Sequence, residues 1–195
     1  MALTDHAHEL ISKYFNQDGF QDSRRPLNLA VDATVGNGHD TAFLASLKFR
    51  KVIGFDIQAS AILTTRLRLS QAVIKNVLLL QQSHADLNEF VHEPIDCIVF
   101  NLGYLPGADK SITTTRTTTL LALQSAMDWL SPIGIITIIC YPGHPAGAEE
   151  TAAVQAWLDA LDGHWKVDSI LSSAPGQTTP ILYFVHPLNG QANQH

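Results

Sequence analysis

The feature of this sequence that most restricts its fold is a regular alternation of short apolar runs with longer amphipathic stretches. Val, Ile and Leu occupy consecutive positions in each run, which is typical of strands buried on both faces of a sheet. The predicted strands are Leu29–Ala33, Val52–Asp56, Val77–Gln81, Cys97–Asn101, Ile135–Cys140, Val167–Leu171 and Ile181–Val185. The predicted helices are Asp5–Phe15, His39–Leu47, Ala59–Val73, Thr118–Leu130 and Gly147–Leu161.

The order of these elements predicts the fold class. Strands that alternate with helices form a parallel sheet with right-handed crossovers. The last two strands have no helical pattern between them, and the short connection Ser172–Thr179 suits an antiparallel hairpin at the sheet edge. We therefore expect an α/β fold with a doubly wound, seven-stranded, mostly parallel sheet. Since the chain has 195 residues and no repeat or long linker, we expect residues 1–195 to form one domain.

The composition restricts the class of protein and its compartment. Apolar residues make up 46% of the chain and charged residues 15%, which is typical of a globular protein. Cys97 and Cys140 lie in apolar runs without zinc-ligand or disulfide spacing, which favours a reducing compartment. The N-terminal sequence lacks the order of a signal peptide, and no apolar run approaches the roughly 20 residues of a membrane span. We expect a cytoplasmic protein without a metal site or membrane contact.

The distribution of charge bears on possible partners. The net charge of −6 argues against a general affinity for nucleic acid. The basic residues are distributed unevenly, however: residues 1–116 contain 11 of the 12 Lys and Arg, whereas residues 117–195 contain only Lys166 against six acids. A local basic face that meets a small RNA is therefore compatible with the acidic total, and an ordinary solvated surface is the alternative.

A glycine turn after the first predicted strand indicates a nucleoside cofactor. Gly36 and Gly38 let the backbone turn tightly and approach a ligand where a helix N-terminus presents free N–H groups. Asp56 ends the second predicted strand, 20 residues after Gly36. A carboxylate at that place can accept hydrogen bonds from a ribose diol.

The residues around the turn distinguish between cofactors. Thr41 stands where a dinucleotide site has its third glycine, and Asp32 and Asp40 flank the turn. Carboxylates would repel a pyrophosphate but suit a cofactor with an amino group and a sulfonium, so we favour S-adenosylmethionine over NAD. Helix capping is the alternative role for Asp40. The candidate cofactor residues here are Asp32, Thr34, Gly36, Asn37, Gly38, His39, Asp40, Thr41, Asp56, Ile57 and Gln58.

The turn after the third predicted strand provides further cofactor candidates, namely Ser83, His84 and Asp86. In this architecture the turn faces the adenine, and Asp86 can accept from its amino group. An exposed polar turn is the alternative. His84 is either a proton carrier or a turn residue.

Asn101 ends the fourth predicted strand, beside the point where open α/β sheets bind ligands. The pattern Asn101-x-x-Tyr104 resembles the Asn-Pro-Pro-Tyr motif of methyltransferases that modify amines. In that motif the Asn side chain and a following carbonyl accept hydrogen bonds from the target nitrogen, and the aromatic ring packs on the substrate. Leu102-Gly103 replaces Pro-Pro in this chain. Asn101, Leu102 and Tyr104 are the catalytic candidates, and Asn101 is also a cofactor candidate. The alternative is that Asn101 and Tyr104 only shape a turn.

Polar residues near this motif are candidates for substrate binding. Lys110 and Arg116 can contact phosphates, and Thr117–Thr119 can cap the following helix. Tyr141 and His144 follow the fifth predicted strand and can line the substrate pocket, although a histidine with purely local hydrogen bonds is the alternative for His144.

Several segments together resemble the bacterial rRNA methylase family, and within it the tRNA 5-aminomethyl-2-thiouridine methyltransferases of the MnmM type. These segments are DATVGNGHDTAFL, IGFDIQ, SHADL, FNLGYLPGADKSITT and GIITIICYPGH. The resemblance implies a class I methyltransferase fold, S-adenosylmethionine as cofactor and a homodimer. It further implies methylation of the aminomethyl nitrogen on a wobble uridine in the tRNA anticodon. Family members have an acidic residue after the arginine where this chain has Arg116-Thr117.

The residues themselves leave the methyl acceptor open. The alternatives to tRNA are rRNA, a small molecule or a protein amine, because the fold does not select the substrate. A non-catalytic nucleoside-binding subunit is disfavoured, since Asn101, Tyr104 and the glycine turn are all intact. The group that removes the proton from the amine is also open, among Asp86, His84, Tyr104 and water.

Overall fold

The computed structural model describes residues 2–16, 26–105, 107, 109, 112–172 and 178–188. Its helices are α1 Leu3–Asn16, α2 His39–Ser46, α3 Ala59–Gln71, α4 Leu87–Phe90, α5 Arg116–Trp129 and α6 Pro145–Asp159. Its strands are β1 Leu29–Asp32, β2 Lys51–Phe55, β3 Val77–Leu80, β4 Ile95–Asn101, β5 Leu130–Cys140, β6 Trp165–Leu171 and β7 Ile181–Pro187. Among these described residues, no helix combines the length and the apolar character needed to cross a bilayer.

The strands form one seven-stranded sheet in the order β3-β2-β1-β4-β5-β7-β6. Strands β1 to β5 pair in parallel, whereas β7 is antiparallel to both β5 and β6. The predicted fold class is therefore confirmed, including the antiparallel hairpin formed by the last two strands.

Alternation along the strands divides the core into two layers. On β4, Ile98 and Phe100 face the layer that contains α5 and α6. Cys97 and Val99 face the opposite layer, which contains residues of α1 and α2. Because side chains alternate between the two faces of a strand, Asn101 projects toward the α1 and α2 side. This face determines the neighbours of Asn101.

Helix α1 covers the sheet close to the strand ends that carry the polar residues. Its buried face includes Ala7, Ile11 and Phe15, which belong to the same clusters as strand residues of β5 and β7. Burying a side chain as large as that of Ile11 or Phe15 contributes about 1.5–3 kcal/mol. Because this face is fixed on the sheet, His8 of the same helix lies next to α2.

Several predicted boundaries differ from the structure by two or more residues, and two of these differences have a visible cause. Strand β5 begins at Leu130 instead of Ile135 because the hydroxyl of Ser131 is buried and donates to Asp96 at 2.6 Å, which satisfies a polar residue that interrupts the apolar pattern. Helix α5 begins at Arg116, and its N-cap is Thr115, outside the predicted Thr117–Thr119. The hydroxyl of Thr115 accepts from the Thr118 N–H, so Thr118 contributes to the cap as the reciprocal partner.

The segment between β3 and β4 also differs from the prediction. A 3-10 turn at His84–Asp86 leads directly into the single-turn helix α4, where no helix is predicted. Such short elements carry too few residues to generate a recognisable apolar period.

Candidate active site

The candidate site lies at the carboxyl ends of the central strands. Strands β1 and β4 are neighbours, and from them the sheet extends to β2 and β3 on one side and to β5 on the other. The strand order therefore reverses between β1 and β4, and ligands of open α/β sheets bind at such a reversal. Asp32, Asp56, Asn101 and Tyr141 each end one of these strands or follow it directly.

The glycine turn has the backbone conformation that the sequence predicts. Gly36 has φ 51° and Gly38 has φ 76°, a left-handed region that glycine adopts without a steric cost. A Cβ atom added to Gly38 would lie 2.5 Å from the hydroxyl oxygen of Thr65. Both the backbone angles and the packing therefore disfavour a side chain at Gly38, whereas only the backbone angles do so at Gly36.

Asp56 is bonded to the glycine turn. One carboxylate oxygen accepts from the Gly36 N–H at 2.9 Å, and the other accepts from the Gln58 N–H at 2.8 Å. Each carboxylate oxygen has a second lone pair available for a ligand hydroxyl. Burial raises the pKa of Asp56, and the two backbone hydrogen bonds oppose this shift. Ile57 follows and is 53% exposed, so it presents an apolar surface beside the carboxylate.

Helix α3 supports the turn through two side chains that sequence reasoning missed. The hydroxyl of Thr65 donates to the Gly36 carbonyl at 3.2 Å, and Nε of Arg68 donates to the Asn37 carbonyl at 2.9 Å. A guanidinium nitrogen of Arg68 also lies 3.1 Å from Nε2 of His39. In the sequence Thr65 and Arg68 are one helical turn apart, but this spacing also occurs on ordinary solvated helix faces.

Asp32 is fully buried below the turn and accepts hydrogen bonds from two residues that flank it. Its carboxylate accepts from the Thr34 N–H at 3.1 Å and from the Thr41 hydroxyl at 2.5 Å. Burial, and then the negative charge of Asp40, raise the pKa of Asp32 to about 7. A direct contact between Asp32 and a cofactor stays a prediction; in this structure Asp32 acts on the site through Thr34 and Thr41.

The turn after β3 is held by local hydrogen bonds. The hydroxyl of Ser83 accepts from the Ala85 N–H at 3.1 Å and caps the 3-10 turn that ends at Asp86. His84 is buried, and its ring packs edge-on against Phe100 with centroids 6.2 Å apart. Burial lowers the pKa of His84 to about 4. Because such a ring is a weak base near neutral pH, the geometry favours the role of a turn residue over that of a proton carrier.

Asn101 is fixed by two residues that precede it in the chain. Its backbone N–H donates to the Thr34 hydroxyl at 2.7 Å, and its side-chain Nδ2 donates to the Asp40 carboxylate at 3.4 Å. A carboxylate only accepts hydrogen bonds, so the NH2 group of the amide must face Asp40. The amide carbonyl of Asn101 is consequently the side that can accept from a substrate. Helix α2 has Gly38 at its N-cap position, so the capping alternative for Asp40 is not observed.

The loop that follows Asn101 is anchored by a buried carboxylate. The Gly103 N–H donates to the Thr114 hydroxyl at 2.8 Å, which itself donates to Glu150 on α6 at 2.9 Å. Glu150 also accepts from the Thr119 hydroxyl at 2.6 Å. Burial raises the pKa of Glu150, and these hydroxyl donors oppose the shift. Tyr104 forms a backbone bridge with Thr113, which fixes the other side of the loop.

Aromatic side chains line the rim of the site. Tyr104 and Tyr141 are 38% and 37% exposed, and the His144 ring lies 6.0 Å from that of Tyr104. Burial, followed by the charge of Asp40, raises the pKa of Tyr141. His144 caps α6, because its Nδ1 accepts from the Gly147 N–H at 3.1 Å. The structure thus brings the predicted residues Tyr141 and His144 to the motif that contains Asn101.

The structure describes only one of the two predicted phosphate ligands, Arg116. Arg116 begins α5, is exposed, and lies 3.6 Å from Glu149. Lys110 lies outside the described residues.

A curated relative shares sequence with most of the described chain. It is a chloroplastic tRNA (mnm(5)s(2)U34)-methyltransferase from Arabidopsis thaliana, 40% identical over 144 residues. The match covers 67% of this chain and 53% of the relative, so the chain spans about half the length of that protein.

Two solved structures have the same fold over nearly their whole length. One, from Clostridium thermocellum and described as an rRNA-methylase, is 34% identical with a TM-score of 0.83, and the match covers 95% of this chain and 97% of that one. The other is a methyltransferase from Streptococcus mutans in complex with SAH. It is 33% identical with a TM-score of 0.81, and the match covers 96% of this chain and 99% of that one.

A family model described as "Putative rRNA methylase" matches residues 52–186, which include β3 to β6 and nearly all of β2 and β7. The match covers more than half of the chain. It agrees with the two solved structures above, which have the same fold as this chain. The chain belongs to this rRNA methylase family.

Proposed function

We propose that this chain transfers a methyl group from S-adenosylmethionine to the aminomethyl nitrogen of 5-aminomethyl-2-thiouridine at the wobble position of tRNA. The observation that carries the proposal is the amide of Asn101, which Asp40 orients with its carbonyl as the acceptor, next to the glycine turn. The name of the Arabidopsis relative supports the choice of tRNA and of this nucleoside.

The residues of the turn fit S-adenosylmethionine. Asp56 has lone pairs for the ribose hydroxyls, Ile57 offers an apolar contact, and the glycines leave the backbone accessible. The Asp40 carboxylate, joined by that of Asp32 when the latter ionises near pH 7, creates a negative potential that suits a cationic ligand. When bound, the cofactor supplies an electrophilic methyl group on a sulfonium. The relative from Streptococcus mutans, whose structure contains SAH, supports this assignment. The proposed cofactor residues are those predicted from the sequence, with Asp32 acting through the loop.

The protein's own contribution to the reaction is the orientation of the amine. The Asn101 carbonyl and the Leu102 backbone carbonyl accept hydrogen bonds from the amine N–H groups, which directs the nitrogen lone pair away from both. Methyl transfer depends on such in-line positioning, which can lower the activation barrier by roughly several kcal/mol. Tyr104 and Tyr141 offer exposed rings on which the uracil can stack, as unpaired RNA bases do on aromatic side chains.

We further propose how the chain meets its partner. Arg116 can exchange its surface ion pair with Glu149 for an anticodon phosphate, because an exposed pair of this kind contributes only about 0–1 kcal/mol. Lys110 is proposed as a second phosphate ligand. We also propose that residues 1–195 act as a single domain, within a homodimer and in the cytoplasm.

Methylation of rRNA is the second candidate function, and the description of the family favours it. The test is methyl transfer by the purified protein to tRNA and to rRNA isolated from cells that lack the gene, followed by mass spectrometry of the nucleosides. We expect the aminomethyl nucleoside of tRNA to gain one methyl group, and an Asn101→Ala variant to lose this activity. Methylation of rRNA but not tRNA would refute the proposed acceptor. A small amine or a protein substrate methylated in place of both RNAs would do so as well.

A further inference from the structure

His8 of helix α1 contacts the candidate site from a distant part of the sequence. Its Nε2 lies 2.6 Å from one carboxylate oxygen of Asp40. Its ring stacks on Phe43 with centroids 3.7 Å apart and an interplanar angle of 9°. Asp40 and Phe43 are one turn apart on α2, so this helix holds both the hydrogen-bond partner and the stacking surface of His8.

The two oxygens of Asp40 have different partners. One oxygen faces His8, and the other accepts from Nδ2 of Asn101 at 3.4 Å. Asp40 is 6% exposed, so its carboxylate needs hydrogen bonds to compensate for burial. The buried carboxyl group of Asp32 nearby increases this need when it is ionised, since the two negative charges then repel each other. His8 therefore supplies a hydrogen-bond donor to the carboxylate oxygen of Asp40 that does not bond to Asn101.

The orientation of Asn101 depends on this arrangement. The two ends of an amide have nearly the same shape, and only their hydrogen-bond partners distinguish them. With Asp40 held by His8, the NH2 group of Asn101 is directed to the carboxylate and its carbonyl to the substrate side. If Asp40 rotated, the amide could turn over and present N–H groups to an amine that itself donates.

We propose that His8 is a positioning residue, which acts through Asp40 to keep the carbonyl of Asn101 directed at the methyl acceptor. This inference rests on the proposed function, in which Asn101 orients an amine. The juxtaposition of helices α1 and α2 over β4 carries it, since His8, Asp40 and Asn101 lie on one face of the sheet.

The variant His8→Phe tests this role, because it keeps a ring on Phe43 and removes the donor. We expect kcat for tRNA to fall roughly tenfold, with KM and the affinity for S-adenosylmethionine within about twofold of wild type. His8→Gln, which carries an N–H donor, should recover most of kcat. Lys13→Ala, an exposed position on the same helix, is the matched control and should leave all three quantities unchanged.

A double-mutant cycle separates positioning from a general structural role. In the Asn101→Ala background, His8→Phe should cause no further loss of kcat, because the group on which it acts is gone. An equal loss in both backgrounds, or wild-type kcat in His8→Phe, would overturn the inference. Wild-type kcat in Asn101→Ala alone would instead refute the proposed function.

A measurement without substrate gives an independent answer. In protein labelled with 15N-asparagine, the side-chain amide signals of Asn101 should shift and exchange faster with water in His8→Phe than in wild type. Signals that stay at their wild-type positions and exchange rates would show that His8 does not hold the amide, whatever the activity of the variants.

Discussion

The hydroxyl of Thr114 donates to the buried carboxylate of Glu150, and the same hydroxyl oxygen accepts from the backbone of the loop after Asn101. Two segments 36 residues apart in the chain are thereby joined under the candidate site. The loop depends on α6 for its position.

Glu150→Ala should therefore damage both stability and turnover. The variant leaves the buried Thr119 hydroxyl and the half-buried Thr114 hydroxyl without their acceptor, and a buried polar group left unsatisfied costs about 1–3 kcal/mol. Urea unfolding should reveal this loss, and turnover should fall because the loop loosens. Glu149→Ala is the control, because the adjacent Glu149 is exposed and its removal should change the free energy of unfolding by less than about 0.5 kcal/mol. Equal stability of the two variants would contradict the prediction.

Asp56→Ala should weaken the binding of S-adenosylmethionine by roughly 1.5–3 kcal/mol, the range for hydrogen bonds to a charged group. The variant also removes the acceptor of the Gly36 N–H, so the glycine turn loses the hydrogen bond that holds it to the end of β2. Calorimetric titration of the folded variant measures the effect, with the exposed acid Asp128 changed to Ala as the control. Unchanged affinity would exclude Asp56 from the cofactor site.

Gly36→Val should abolish cofactor binding almost completely. Its φ of 51° is unfavourable for a β-branched residue, and the side chain would extend into the space that faces Leu105. The same calorimetric titration measures this loss, with circular dichroism to establish that the variant folds. A folded Gly36→Val protein with wild-type affinity would remove the glycine turn from the proposed site.

The raised pKa of Asp32 makes stability depend on pH in a defined direction. In the unfolded chain this carboxyl loses its proton near pH 4, whereas in the folded protein it keeps the proton until about pH 7. Between these values the folded state binds more protons, so the contribution of Asp32 to the free energy of unfolding decreases as pH rises. The difference between wild type and Asp32→Asn, measured by urea unfolding at several pH values, should follow this trend. A difference that is constant from pH 4 to 7 would contradict the assignment.

The rate of methyl transfer should rise with pH. A primary alkylamine with a pKa near that of lysine, about 10.4, is mostly protonated at pH 7, and the protonated form has no lone pair for attack. We expect kcat/KM to increase from about pH 6 to 9 under conditions where chemistry limits the rate. Because burial lowers the pKa of His84 to about 4, we expect no contribution to the increase from titration of that ring. A flat profile would argue against an amine as the acceptor.

Much of the fold and part of the site could be predicted because the signals are local. Consecutive Val, Ile and Leu residues marked β1 and β4, and the spacing from Gly36 to Asp56 marked two residues that the structure joins by a hydrogen bond in the candidate site. The supporting residues could not be found in this way. His8 acts on a residue 32 positions later, and Thr65 on one 29 positions earlier, so only the packing of helices on the sheet brings each pair together. In the sequence these residues are indistinguishable from surface polar residues.

The position of β7 between β5 and β6 has a consequence for the order of assembly. During synthesis β6 emerges before the strand that connects it to the sheet, so neither it nor the outer edge of β5 can pair correctly until β7 has left the ribosome. An unpaired edge as apolar as β5 is a hazard for aggregation in a growing chain. Helix α1, which is made first, also packs against β7 through Leu3 and Leu182. The face that carries His8 is therefore completed late, when the first and last described elements of the chain meet.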